Sequence, residues 1–135
     1  MKEEFAVTPY EVSGAVDYGR LISRFGVERI TPALIKRIEK QAGTQFMLRR
    51  QIFFAHRDLS WILDEYEKGN KFFLYTGRAP SGSVHLGHLL PWIFTKWLQD
   101  TFDVELWFQF PDEEKFLFRP EATLEQADHY LNENM

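Results

Sequence analysis

Apolar positions along this chain switch between helical and extended spacing, and the switches mark out its elements. Thr31-Pro32 reads as an N-cap with proline at the first helical position. Leu34, Ile35 and Ile38 then form one apolar face, and Gly43 ends the helix. Before it, Asp17 is placed to cap a helix through Leu21 and Ile22 that Gly26 closes. After it, Asp58 is placed to cap Leu59 to Lys68, where Trp61, Ile62 and Tyr66 form a core stripe and Gly69-Asn70 stops the helix. At the start, Phe5-Ala-Val-Thr8 and Glu11-Val12, then Ala15-Val16, flank a Ser13-Gly14 turn and predict a small hairpin.

From residue 71 the pattern changes. Lys71 to Thr76 and Val104 to Phe110 are short runs rich in aromatic and apolar residues, as in buried strands. Between them Leu86 to Phe102 carries helical spacing. Trp92, Phe94, Trp97 and Leu98 are predicted to pack, Lys96 and Gln99 to face outward, and Pro91 to kink the helix or divide its first turn from the rest. Two strands joined by such a helix should lie parallel, and ligands on such sheets bind beyond the C-terminal strand ends. Pro111, at a first helical position ahead of Asp112-Glu113-Glu114, starts an acidic helix. Thr123 and Gln126 form a capping box for a last helix with Leu124, Ala127 and Leu131 on its apolar face. Asn132-Glu-Asn-Met135 contains no glycine or proline to stop that helix, so the chain is expected to be cut rather than finished.

Composition narrows the function classes. The 135 residues, 44% hydrophobic and 16% aromatic, make one globular unit, short for a two-substrate enzyme with an RNA-binding module. A net charge of −4 gives no global attraction to nucleic acid. Without cysteine there is no thiolate chemistry, no apolar run is long enough for a membrane span, and a cytoplasmic location is expected. The basic cluster Arg49-Arg50 with His56-Arg57 reads mainly as a solvated face with a few ion pairs.

The candidate chemistry lies between the strands. Gly77, Pro80, Ser81 and Gly82 are predicted to bend the backbone and leave room for a ligand, and the following helix start offers N–H groups and a positive dipole end suited to phosphate. His85 and His88 are three apart on its first turn with Gly87 between them, so cationic or donor imidazoles can face a phosphoryl group and a base can rest on bare backbone. A zinc site would need a third ligand, and His56 and His129 lie far away in sequence. Tyr75 and Gln109 fall at the C-terminal strand ends. They either converge on a single N–H of an aromatic ligand or are ordinary, the tyrosine in the core and the glutamine paired to backbone. One carboxylate of Asp112-Glu113-Glu114 is placed to meet a ligand's ammonium group.

The string Pro80-Ser-Gly-Ser-Val-His85-Leu-Gly-His88 resembles the His-x-Gly-His signature of class I aminoacyl-tRNA synthetases in its Pro-Ser-Gly form, shared by tryptophan and tyrosine enzymes. Leu74-Tyr-Thr-Gly-Arg78, Phe94-Thr-Lys-Trp-Leu-Gln99, Gln109 with Asp112-Glu-Glu-Lys115, and the early segments Val7-Thr-Pro-Tyr, Arg24-Phe-Gly and Phe53-Phe-Ala-His-Arg-Asp58 resemble the archaeal and eukaryotic tryptophanyl-tRNA synthetases. The implied fold is α/β: the first half of a Rossmann-like parallel-sheet nucleotide-binding domain over 71–135, after a mostly helical N-terminal extension over 1–70. The resemblance implies ATP-dependent activation of tryptophan, with magnesium on the leaving pyrophosphate, then transfer to tRNA by an enzyme that is a homodimer at full length; the alternatives are a non-catalytic nucleotide-binding or interaction module derived from this family, or a tyrosine-specific synthetase. By motif position, His85 and His88 would serve catalysis, Arg78, Ser81 and Gly87 would hold ATP, and Tyr75, Gln109 and Glu114 would hold tryptophan; no metal-ligating residue is implied. Ala79 stands where the family usually has a second glycine, and Phe110-Pro111 where a smaller, threonine-containing pair is common. No Lys-Met-Ser-Lys-type loop is present, so weak or absent activation is expected of this chain alone.

Overall fold

The first two elements are a minimal hairpin, β1 (Ala6–Val7) and β2 (Val12–Ser13), with Ala6 opposite Ser13 and Val7 opposite Val12. Ser13 is therefore a strand residue rather than part of the predicted Ser13-Gly14 turn, of which Gly14 lies outside the described residues. The computed structural model describes residues 6–7, 12–13, 18–111, 113–118 and 121–135; Asp17, the predicted cap, and Asp112 lie outside them.

Helix α1 (Tyr18–Phe25) stops at Gly26, whose φ of 59° is a left-handed conformation that glycine adopts without strain. The chain then runs through β3 (Glu28–Arg29) into α2 (Pro32–Ala42). Thr31 caps α2 as predicted: its hydroxyl accepts from the Leu34 N–H at 3.2 Å, Pro32 occupies the first turn, and Gly43 closes the helix at φ 66°. A one-turn helix, α3 (Phe46–Arg49), follows, with the buried Gln45 side chain accepting from the Met47 N–H at 3.2 Å. Next, β4 (Ala55–His56) pairs antiparallel with β3, Glu28 opposite His56.

Helix α4 (Leu59–Glu67) corrects two expectations. Asp58 adopts a left-handed φ of 58° and makes no side-chain cap bond; His56 Nδ1 instead accepts from the Leu59 N–H at 3.4 Å. Trp61 is 62% exposed, so it is no part of the core stripe, whereas Leu63 is buried. Across the solvent side Arg37 of α2 ties α4 down, reaching Glu67 and Asp64 at 2.7 Å each; these bonds raise the Arg37 pKa and hold the Glu67 carboxyl below its usual value.

The βαβ unit is present. Strands β5 (Leu74–Gly77) and β6 (Leu106–Gln109) run parallel with Leu74 opposite Leu106 and Gly77 opposite Gln109, and α5 (Leu86–Phe102) joins them. Helix α5 runs through Pro91 as one element rather than breaking there. Proline at this position removes only the amide that would bond back to Gly87, in the first turn, and Thr95 Oγ1 donates to the Pro91 carbonyl at 2.7 Å. Lys96 faces outward and pairs with Asp100, whereas Gln99 is half-buried.

One core joins both halves of the chain: Ile30, Leu34, Ile38, Leu48 and Leu63 with Phe102 and Val104. Each such apolar side chain contributes about 2 kcal/mol by leaving water. Tyr66, Phe72 and Phe102 interlock with centroids 5.0–5.8 Å apart, and Phe53 stacks on Phe94 at 4.2 Å. Helices α6 (Glu113–Phe118) and α7 (Leu124–Asn134) complete the described chain. Pro111 precedes α6 by two residues instead of opening it. The Thr123–Gln126 capping box of α7 forms as predicted, with N–H to side-chain oxygen distances of 3.2 and 3.3 Å. On α7 Ala127 is buried but Leu124 is 60% exposed. Among the described residues no helix is long and apolar enough to cross a membrane.

Candidate functional site

The strands have one covered and one open face. Period-2 alternation turns Leu74, Thr76 and Leu106 toward the helix side, where they are half-buried, and Phe73, Tyr75, Trp107 and Gln109 the other way. On that open face Phe73, Tyr75 and Trp107 are 62–64% exposed. Tyr75 is therefore not a core residue. Gln109 is exposed too, so its amide needs no protein partner. The register sets Gln109 opposite Gly77, two residues beyond Tyr75, so both side chains lie on one face, Gln109 at the C-terminal end of β6 and Tyr75 two residues short of the end of β5 rather than at it as predicted.

Gly77 does not belong to the turn, as its motif position predicts; it is the last residue of β5. A Cβ there would lie 2.4 Å from the Gln109 carbonyl oxygen, so glycine lets the strand ends close up rather than admitting a ligand. The backbone pairing continues one step further, the Arg78 N–H donating to the Gln109 carbonyl at 2.9 Å.

The two histidines cap α5 reciprocally. His85 Nδ1 accepts from the Gly87 N–H at 3.2 Å, and His88 Nδ1 accepts from the His85 N–H at 3.1 Å. The rings lie 3.7 Å apart on one side, as the spacing predicts. With each Nδ1 accepting, Nε2 is the nitrogen left on each ring to carry a proton and donate. Lost hydration, then the Arg78 charge, then His85 hold the His88 pKa below the ordinary 6.5, in the same sense. A Cβ on Gly87 would come within 3.0 Å of His85 Cε1 and 3.1 Å of its Nδ1, so the bare backbone at Gly87 makes room for the His85 ring. Of the helix-start N–H groups, that of Gly87 is thus taken up by His85.

From the histidines a line of rings reaches β6: His88 to Trp92 at 6.2 Å, Trp92 edge-on to Phe108 at 5.3 Å, and Phe108 to Phe110 at 4.8 Å. It fixes the start of α5 against the end of β6. Glu114 lies half-buried in the first turn of α6, five residues beyond Gln109. Ser81 is exposed in the turn, beside the buried Pro80.

Arg78 turns back beneath the turn. Its Nη2 donates to the Gly82 carbonyl at 2.8 Å and the Ser83 carbonyl at 3.3 Å, and its Nη1 donates to Asn134 Oδ1 at 2.5 Å. Asn134, buried to 9% exposure, carries no signal in the sequence, where it is one polar residue in a polar tail. The basic cluster has structural duties: Arg49 pairs with Glu39 at 2.7 Å and Arg57 donates to the Phe25 carbonyl at 2.7 Å. Among the described residues no three His, Cys, Asp or Glu side chains converge as metal ligands.

No family model matches the chain. The whole chain is 52% identical to the tryptophan–tRNA ligase of Saccharolobus solfataricus and 47% identical to that of Pyrococcus furiosus, spanning 36% of either. Among solved structures, the tryptophanyl-tRNA synthetase of Plasmodium falciparum superimposes with a TM-score of 0.82 at 46% identity, over 87% of this chain and 33% of that one. That of Trypanosoma brucei gives 0.79 at 51% identity, over 87% and 37%.

Proposed function

Because the chain belongs to the tryptophanyl-tRNA synthetase family, we propose that it supplies the amino-acid and nucleotide site of a tryptophan–tRNA ligase. The family assignment rests on identity along the whole chain. The observation that carries the site reading is that Tyr75 and Gln109 are diagonal neighbours on one open sheet face, leading to the strand end from which the doubly capped start of α5 follows. Tyr75 Oη and Gln109 Oε1 accept the indole N–H, and Glu114 meets the substrate's ammonium group. A side chain without that N–H leaves both acceptors unpaired, which is the basis for discrimination.

In the reaction a carboxylate oxygen of tryptophan attacks the α-phosphorus of ATP, the bond to pyrophosphate breaks, and the adenylate then esterifies a tRNA hydroxyl with release of AMP. His85 and His88, donating through Nε2, meet the charge growing on the phosphoryl oxygens; Arg78 and Ser81 hold the turn against the nucleotide, and Gly87 leaves room for His85. Positioned donors suit this chemistry, because phosphoryl transfer leaves the protein little covalent work. Magnesium enters with ATP, and no residue of this chain is assigned to it. Residues 71–135 form the nucleotide-fold half, residues 1–70 the extension that buttresses it. tRNA, a second copy of the chain and a cytoplasmic setting complete this reading.

Calorimetric titration with tryptophan and tyrosine, each with and without a non-hydrolysable ATP analogue and magnesium, tests it. Tryptophan alone of the two amino acids should bind, and Tyr75→Phe and Gln109→Ala should each weaken it about 5- to 100-fold, the range of one or two lost hydrogen bonds. Equal binding of tyrosine, or tryptophan binding indifferent to both substitutions, would sink the indole reading. Nucleotide binding with no amino-acid response would reduce the site to a phosphate-binding turn.

A further inference from the structure

Asn134 holds a position that family membership and chain order do not explain. It is in the last turn of α7, 52 residues from the turn it touches, and is nearly buried. Its amide works in both directions. Oδ1 accepts from Arg78 Nη1, while Nδ2 donates to the Gly82 carbonyl at 3.2 Å and to the Tyr130 carbonyl one helical turn back. Arg78 itself is pinned at three points: its backbone to Gln109, its Nη2 to the Gly82 and Ser83 carbonyls, its Nη1 to Asn134. Pro80 and Ser81 face Ala127 and Tyr130 of α7 across a cavity of about 110 Å³. The turn is thus suspended between the end of β6 and the end of α7.

The direction of these bonds matters more than their number. In a trans peptide the C=O of one residue and the N–H of the next point to opposite sides. Drawing the Gly82 and Ser83 carbonyls down onto Arg78 and Asn134 therefore aims the Ser83 and Val84 N–H groups the other way. Two successive N–H groups facing outward just before a helix start make a concavity for an anion.

We propose that Asn134 is a positioning residue for the nucleotide: through Arg78 and the Gly82 carbonyl it orients the Ser83 and Val84 N–H groups toward the phosphates. The proposal rests on the reading of this turn as the ATP site. Asn134 touches no substrate in it. Asn134→Ala removes the Nη1 hold on Arg78 and one of the two donors to the Gly82 carbonyl. Asn134→Asp keeps the acceptor for Arg78 but loses the donor to the Gly82 and Tyr130 carbonyls.

The test is titration of the 135-residue chain with a non-hydrolysable ATP analogue and magnesium, and separately with tryptophan, together with amide NMR. In the parent, the Ser83 and Val84 amide resonances should shift on adding the analogue. Asn134→Ala should weaken nucleotide binding at least tenfold and leave tryptophan binding within twofold, and Asn134→Asp, which keeps only the Arg78 bond, should fall between Asn134→Ala and the parent. Nucleotide affinity unchanged in Asn134→Ala overturns the proposal. So does equal weakening of both ligands, which marks a merely structural role. If the alanine variant does not fold, Asn134→Asp and Asn134→Ser carry the same comparison. A parent chain that binds tryptophan but no nucleotide overturns the ATP reading of the turn and the proposal with it. A parent that binds the analogue without moving the Ser83 and Val84 resonances overturns the proposal alone.

Discussion

Replacing Gly77 by alanine puts a methyl group where the neighbouring strand already is. The new Cβ would stand 2.4 Å from the Gln109 carbonyl oxygen and 3.3 Å from its carbonyl carbon and Cβ. An ordinary carbon–oxygen contact is close to a full ångström longer, and the obstacle is backbone that cannot rotate aside. The strand ends must separate, and the Arg78 N–H to Gln109 bond of 2.9 Å is the first to go. Overpacking of this kind costs about 1–3 kcal/mol and the lost hydrogen bond about 1 kcal/mol more. Alanine's lower unfolded-state entropy returns roughly 0.5–1 kcal/mol. The net is a loss of about 1–3.5 kcal/mol, on the order of 10 °C in melting temperature for a chain of this size. Urea unfolding followed by circular dichroism measures it. Gly82→Ala is the control, since a Cβ at Gly82 meets nothing within 4 Å; it should change stability by less than about 0.5 kcal/mol. Because the clash displaces Gln109, Gly77→Ala should also weaken tryptophan binding, and Gly82→Ala should not. If the two variants melt together, or if Gly77→Ala stays within about 0.5 kcal/mol of the parent, the close approach of the strands is not what requires glycine.

Three further outcomes are expected. The His88 pKa is lowered in the folded chain, so the unfolded chain binds the proton more readily; the contribution of His88 to stability is present above 6.5 and is lost as pH falls through its folded value. NMR titration of the His88 ring should give a midpoint below 6.5, with the His85 amide shifting at the same pH as its acceptor is protonated; a midpoint above 6.5 would contradict the capping geometry. Gly87→Ala, with a Cβ only 3.0 Å from the His85 ring, should push that ring off the helix start and weaken nucleotide binding about tenfold in calorimetry, with α5 helicity kept; unchanged affinity would show that the ring need not lie there. For α4, His56→Ala should cost about 1 kcal/mol as the loss of a cap, Asp58→Ala a similar amount because alanine resists the left-handed conformation, and Asp58→Gly almost nothing. A destabilising Asp58→Gly in thermal melts would return the cap to Asp58.

The elements set by neighbours in sequence are legible in the linear chain: the Thr31-Pro32 helix start, Gly26 and Gly43 as stops, the Thr123–Gln126 box, and the strand–turn–helix–strand order that makes the βαβ unit. Such signals depend on a few adjacent residues and on hydrophobic period, which the amino-acid order contains in full. The candidate residues Tyr75, Gln109, His85 and His88 are legible for a similar reason, since motif spacing places them near strand ends and on one helix turn. What tertiary structure alone decided depends on partners distant in the chain. Gly77 is a strand residue because Gln109 lies against it, Trp61 is exposed because the core closes on Leu63, and the α4 start is capped by His56 because β4 pairs with β3. Asn134, silent in a polar tail, has meaning only where α7 returns to Arg78 and the signature turn. Local periodicity cannot encode such meetings; they arise when buried apolar faces fold the chain back on itself and leave each enclosed polar group to find a partner.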